Sequence, residues 1–76
     1  MKLVHNHLGI QMHEQQYRTI TVRYLTVPTP DGKTCVFMQQ PDTDTWGFVS
    51  QRDTTPALAV LAVHRETVAK VEGRGA

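Results

Sequence analysis

The sequence predicts an α+β domain: a three- or four-stranded antiparallel β-meander with one C-terminal α-helix packed on one face. Two observations carry that reading. Residues 17–52 alternate short β-rich runs with turn signals, and residues 53–72, DTTPALAVLAVHRETVAKVE, hold a start, a body and a stop for a helix. The helix makes the natural cover for the sheet, because an antiparallel sheet of this size needs one face buried to be stable.

Taken in order, residues 1–16 are the least regular segment. Leu3, Val4, Leu8, Ile10 and Met12 are apolar, but neither a period of 2 nor one of 3.6 runs through them. Leu8, Ile10 and Met12 alternate, so an extra strand over 7–12 is the expectation, on a segment that is otherwise poorly defined. YRTITVRYLTV, residues 17–27, is rich in β-branched and aromatic residues, with Ile20, Val22 and Tyr24 on one face and Thr19, Thr21 and Arg23 on the other. Pro28 ends this strand. Thr29-Pro30-Asp31-Gly32 then supplies a turn, since proline presets φ, Asp bonds nearby backbone and Gly accepts positive φ.

TCVFMQQ, residues 34–40, is the returning strand, Pro41 to Thr45 a second turn, and WGFVSQR, residues 46–52, the last strand of the meander over 17–52. The helix is expected over 55–72, with Thr55 as N-cap, Pro56 at the first helical position, and Gly73 as the stop before a tail over 73–76. At 100° per residue, Ala57, Val60, Leu61, His64, Val68 and Val71 form one stripe, and Ala59 and Ala62 fall on the far side.

Totals bound the function. Seventy-six residues make one domain that buries only about 60% of the surface exposed by its unfolded chain. One cysteine, Cys35, rules out an intramolecular disulfide, and a reducing, cytoplasmic location is expected. Eight basic against seven acidic residues leave a net charge of +1, which makes no electrostatic case for a nucleic-acid or membrane partner. MKLVHNHLGI lacks the apolar core of a signal peptide, and the run Ala57 to Val63 is too short to span a bilayer.

Candidate chemistry is thin. His5, His7 and His13, with Glu14, invite a metal reading, but a structural zinc site wants four ligands and Cys35 is the only thiol. Asp42, Asp44 and Asp53 loosely follow a calcium loop, yet Trp46 stands where an oxygen ligand belongs. Cys35 lies mid-strand among apolar neighbours, where thiols are usually inert. His64 sits on the helix's apolar stripe and reads as a hydrogen-bonded core or edge histidine. No phosphate loop, nucleophile elbow or paired carboxylates occur, so no enzymatic activity and no cofactor are expected.

What remains is a matter of faces. Cys35 and Phe37 lie opposite Val36 and Met38 on one strand, and Trp46 and Phe48 oppose Val49 on the next. A sheet with two apolar faces needs two covers, and the helix supplies one. The other cover is the N-terminal segment, a second copy of the chain, or another protein. The expected function is therefore non-catalytic protein binding of an inhibitor or adaptor type, as in phage and mobile-element accessory proteins. Phe37, Trp46 and Phe48 are the anchors, and Arg23 and Arg52 the rim contacts.

The rival reading is a small nucleic-acid binder or antitoxin-like repressor, which needs Arg18, Arg23 and Arg52 to converge beside exposed aromatics. Strand–strand–strand–helix order is similar in outline to the double-stranded RNA-binding domain, although DTTPALAV lacks that family's lysine cluster at the helix start. Arg52-Asp53-Thr54 is similar to the acidic-Thr helix start of HicB-type antitoxins, and that resemblance implies a β-meander running into a helix.

Overall fold

The computed structural model describes residues 2–40 and 44–74. Five strands, β1 (Lys2–His7), β2 (Ile10–Tyr17), β3 (Ile20–Pro28), β4 (Thr34–Gln39) and β5 (Trp46–Arg52), precede one helix, α1 (Pro56–Arg74). The strands form a single antiparallel sheet in chain order, β1-β2-β3-β4-β5. The class is the α+β meander with a C-terminal helix that the sequence predicts. The sheet is wider than the three or four strands expected, because residues 2–17 form a complete hairpin instead of one short strand.

That hairpin hides from pattern reading for physical reasons. The register pairs His13 with Tyr24, Gln11 with Thr26 and Gln15 with Val22, so the helix-side residues of β2 are polar and no apolar alternation results. β1 also carries a bulge between Leu3 and His5, which breaks the period of 2. Its turn is Leu8-Gly9, with φ of 53° and 82° at the two positions. Such turns match the strand twist but favour Asn-Gly. Leu8 is 85% exposed and gains no burial in return for its left-handed backbone. Leu8→Asn is therefore expected to stabilise the fold by about 1 kcal/mol, read as a thermal midpoint raised by roughly 4–8 °C. An unchanged or lowered midpoint would show that Leu8 contributes packing.

The turn between β3 and β4 forms as its residues dictate. Gly32 takes φ of 86°, its N–H donates to the Thr29 carbonyl at 3.1 Å, and the Thr29 N–H donates to the Lys33 carbonyl at 2.9 Å. The Thr29 hydroxyl binds the Asp31 carboxylate and accepts the Lys33 N–H at 2.8 Å. Of the next turn, Pro41 to Thr43 lie outside the described residues, as does Asp42 of the calcium reading. The Gln40 N–H closes across the turn onto the Thr45 carbonyl at 2.9 Å.

Thr55 caps α1 as expected: its carbonyl accepts the Ala59 N–H at 2.9 Å and its hydroxyl faces the Leu58 N–H at 3.4 Å. Gly73 does not stop the helix, which continues to Arg74. The helix crosses β2 to β5 on one face and, among the described residues, makes no contact with β1. Its buried residues are Ala59, Val60 and Val63, packed with Tyr24 and Val36. Ala57, by contrast, is exposed, and Leu58 is 55% exposed. The seated stripe is turned by about 90° from the one that large apolar residues define on a helical wheel.

Polar tethers flank the buried stripe on both sides. Arg52 Nη2 donates to Glu66 at 2.6 Å on one flank of the buried stripe, and the Tyr24 hydroxyl meets His64 Nδ1 at 2.8 Å on the other. The sheet beneath presents the bulky Tyr24, which leaves room for Ala59 and the small valines but not for Leu58. Among the described residues, no helix is long and apolar enough to cross a membrane.

Candidate functional site

The register sorts the five residues expected to form a site. Directly opposed residues of an antiparallel pair share a face. Met12 pairs with Leu25, Leu25 with Phe37, and Phe37 with Phe48, which makes one apolar row across β2, β3, β4 and β5. Trp46 pairs with Gln39 one step along the same face, and Val27 and Cys35 pair one step the other way. This is the face opposite α1. The Phe37 and Phe48 rings meet edge to face with centroids 5.5 Å apart, a favoured aromatic geometry. Phe48 is 59% exposed and Val49 is 39% exposed. Phe37, Trp46 and Phe48 thus stand together on the uncovered face.

The arginines divide. Arg23 pairs with Glu14 in register on this same face, and its Nε donates to that carboxylate at 3.0 Å. It borders the apolar row as expected. Arg52 does not: it pairs with Thr34, which is buried under the helix, and its guanidinium is committed to Glu66 of α1. The reason is parity, since Arg52 lies an even number of residues from Phe48 but beyond a bulge. Val36 pairs with Ser50 and Phe37 with Phe48, so Val49 is extra and every later residue of β5 changes face. No sequence signal marks such a bulge. The hydrogen bond to Arg52 also holds the Glu66 carboxyl below the usual carboxylate range.

The basic residues do not converge for a nucleic acid. Arg18 sits in the β2–β3 turn over the Tyr17 ring and faces Glu72 at 3.6 Å, while Arg23 and Arg52 face Glu14 and Glu66 on opposite faces of the sheet. In register, His13 pairs with Leu3, whereas His5 and His7 pair with Met12 and Ile10. Among the described residues, no three His, Cys, Asp or Glu side chains come together to hold a metal ion. Cys35 is half-buried on the open face and is a free thiol.

On the helix side, sequence reasoning places His64 correctly as a hydrogen-bonded edge histidine but misses what surrounds it. A cleft of about 740 Å³ opens between the C-terminal half of α1 and β3–β4, lined by Ile20, Val22, Tyr24, Met38, His64 and Val68 among others. His13 is buried nearer β1, with Nε2 2.9 Å from Gln11 Oε1 and Nδ1 without a partner.

Burial holds both His13 and His64 below the ordinary histidine pKa, because the charged form loses solvation. The unfolded chain takes up these protons near pH 6.5, before the folded chain does. Their contribution to stability is therefore fully present above about pH 6.5 and is lost as pH falls toward the folded values. Thermal melts are expected to show a midpoint falling from pH 7.5 to pH 5, with a smaller fall in His13→Leu. An equal fall in that variant would place the titration elsewhere.

Comparison with known proteins returns nothing: no family model matches the sequence, and no curated protein or solved structure matches it.

Proposed function

We propose that this is a non-catalytic protein-binding domain of the inhibitor or adaptor kind, and that it engages an apolar surface of another protein through the open sheet face. The supporting observation is the aligned row Met12, Leu25, Phe37 and Phe48, flanked by Trp46 and left uncovered by α1. The main apolar patch on a protein surface is often a functional one.

Two features favour the face over the sheet's edges as the contact. Both outer strands carry a bulge, at β1 and at β5, and bulged edges discourage strand addition. The patch also has the scale of an interface centre. Spanning three strand spacings and about five residues of strand, it covers on the order of 200 Å² in projection. That suits the buried centre of a standard contact of about 800 Å² per partner, and falls short of the larger apolar area of an obligate dimer. The Arg23–Glu14 pair on its border leaves the patch without net charge and favours a neutral apolar partner surface over a phosphate backbone.

Light scattering on the purified chain, together with co-elution from an extract of the source cells, tests this. The expected result is a monomer at low micromolar concentration and one partner that co-elutes stoichiometrically with the native chain but not with Phe48→Ala. A dimer that Phe48→Ala converts to monomer would make the partner a second copy. Retention on RNA or DNA that falls steeply with salt would replace the protein-binding reading with a nucleic-acid one.

A further inference from the structure

The seating of α1 is uneven along its length. Ala59, Val60 and Val63 are fully buried, His64, Thr67 and Val68 are half-buried, and Val71 is 54% exposed. Burial therefore falls off toward the C-terminal end, where the cleft of about 740 Å³ lies beside the helix. Its volume lies within the range of small-molecule sites, about 300–1,000 Å³. Val22, Met38 and Val68 line it, Ile20 and Val71 stand exposed at it, and the polar residues Tyr17, Thr21, Arg23, Gln39, Gln40, Asp44 and Thr67 border it as well.

The Tyr24–His64 pair is the buried polar feature of the cleft. Tyr24 is fully buried, and its hydroxyl lies 2.8 Å from His64 Nδ1, the two rings meeting edge to face at 5.7 Å. When the Tyr24 hydroxyl donates to Nδ1, the imidazole carries its proton on Nε2. Among the described residues nothing bonds that second nitrogen. The imidazole is thus oriented from behind and retains one N–H for a ligand, the arrangement by which a fixed polar group orients an otherwise apolar guest.

From this geometry we propose that the cleft binds a small neutral amphiphile, its apolar body against Val22, Met38 and Val68 and one acceptor oxygen on His64 Nε2. The ligand class follows from the lining. Aliphatic walls reward a compact hydrocarbon body, and the Nε2–H that His64 offers when Tyr24 donates to Nδ1 rewards one carbonyl or ether oxygen. Burial keeps His64 uncharged at neutral pH, so it offers a hydrogen bond without the cation that would select a carboxylate. The Tyr24–His64 pair is part of the core that seats α1, which gives the site a rigid base whether the opposite sheet face is occupied or free.

Camphor, a compact neutral ketone, is a suitable probe, with camphorsulfonate as the anionic control. In titrations of the ¹⁵N-labelled full chain, camphor is expected to shift Val22, Met38, His64 and Val68 saturably, with half-saturation on the order of 1 mM. Camphorsulfonate binds more weakly. Val68→Trp, which fills the gap, abolishes the shifts. His64→Phe keeps the apolar walls and weakens binding about tenfold. Phe48→Ala, on the far face, binds as the native chain does, which separates this site from the protein-binding reading. Shifts that do not saturate, that centre on Phe37 and Phe48, or that survive in Val68→Trp overturn the proposal.

Discussion

Ala59→Leu is expected to destabilise the domain by about 3 kcal/mol, whereas Ala57→Leu leaves stability within about 0.5 kcal/mol of native. Both substitutions add the same side chain to the same helix, two residues apart. Ala59 is fully buried where α1 meets Tyr24 and Val36, and three added carbons there must displace a close-packed neighbour. Ala57 is exposed to solvent, where leucine changes little. A domain of this size has roughly 4–11 kcal/mol to lose, so the first variant melts roughly 10–20 °C lower. Calorimetry decides the matter, and a helical wheel predicts the reverse order. If Ala57→Leu proves the more damaging, the helix is seated on the other stripe.

If the open face is the proposed protein contact, Phe48→Ala is expected to weaken the complex about thirtyfold, or about 2 kcal/mol, with a smaller cost to the fold. Phe48 is 59% exposed in the free chain, so its truncation gives up little burial. What the fold loses is mainly the edge-to-face contact with Phe37, about 0.5–1.5 kcal/mol. In a complex the same ring becomes buried at the centre of the patch, where aromatic anchors concentrate binding energy. Titration calorimetry against the co-eluting partner, with a thermal melt of the variant alongside, reads both quantities. Unchanged affinity at unchanged stability removes the open face as the contact. Arg52→Ala makes the complementary control: it loses the hydrogen bond to Glu66 on the helix side, and affinity for the partner is expected to hold.

Several parts of this protein are legible in its residues. The Pro-Asp-Gly turn, the β3 and β4 strands, the Thr55-Pro56 helix start and the opposition of Phe37 to Val36 all follow from local chemistry, which acts within a few residues. Phe37, Trp46 and Phe48 share a face because side chains alternate along strands and pair across them, and the register preserves both relations. The N-terminal hairpin was less legible, since the inward residues of β2 are Gln11, His13 and Gln15, and its turn places a leucine where glycine or asparagine is usual.

Three things were decided only in the folded chain. The bulge at Val49 sends Arg52 beneath the helix, because one unpaired residue reverses the parity of all that follow. The rotation of α1 is set by what lies under it and beside it: Tyr24 admits Ala59, while Glu66 and His64 are tied on either flank. The cleft at His64 comes from the same seating. Sequence determines which residues prefer to be buried and what each turn can do. Which apolar stripe is actually buried depends on the shape and hydrogen-bonding groups of the opposing surface, and those are assembled only when residues as far apart as Tyr24 and His64 meet.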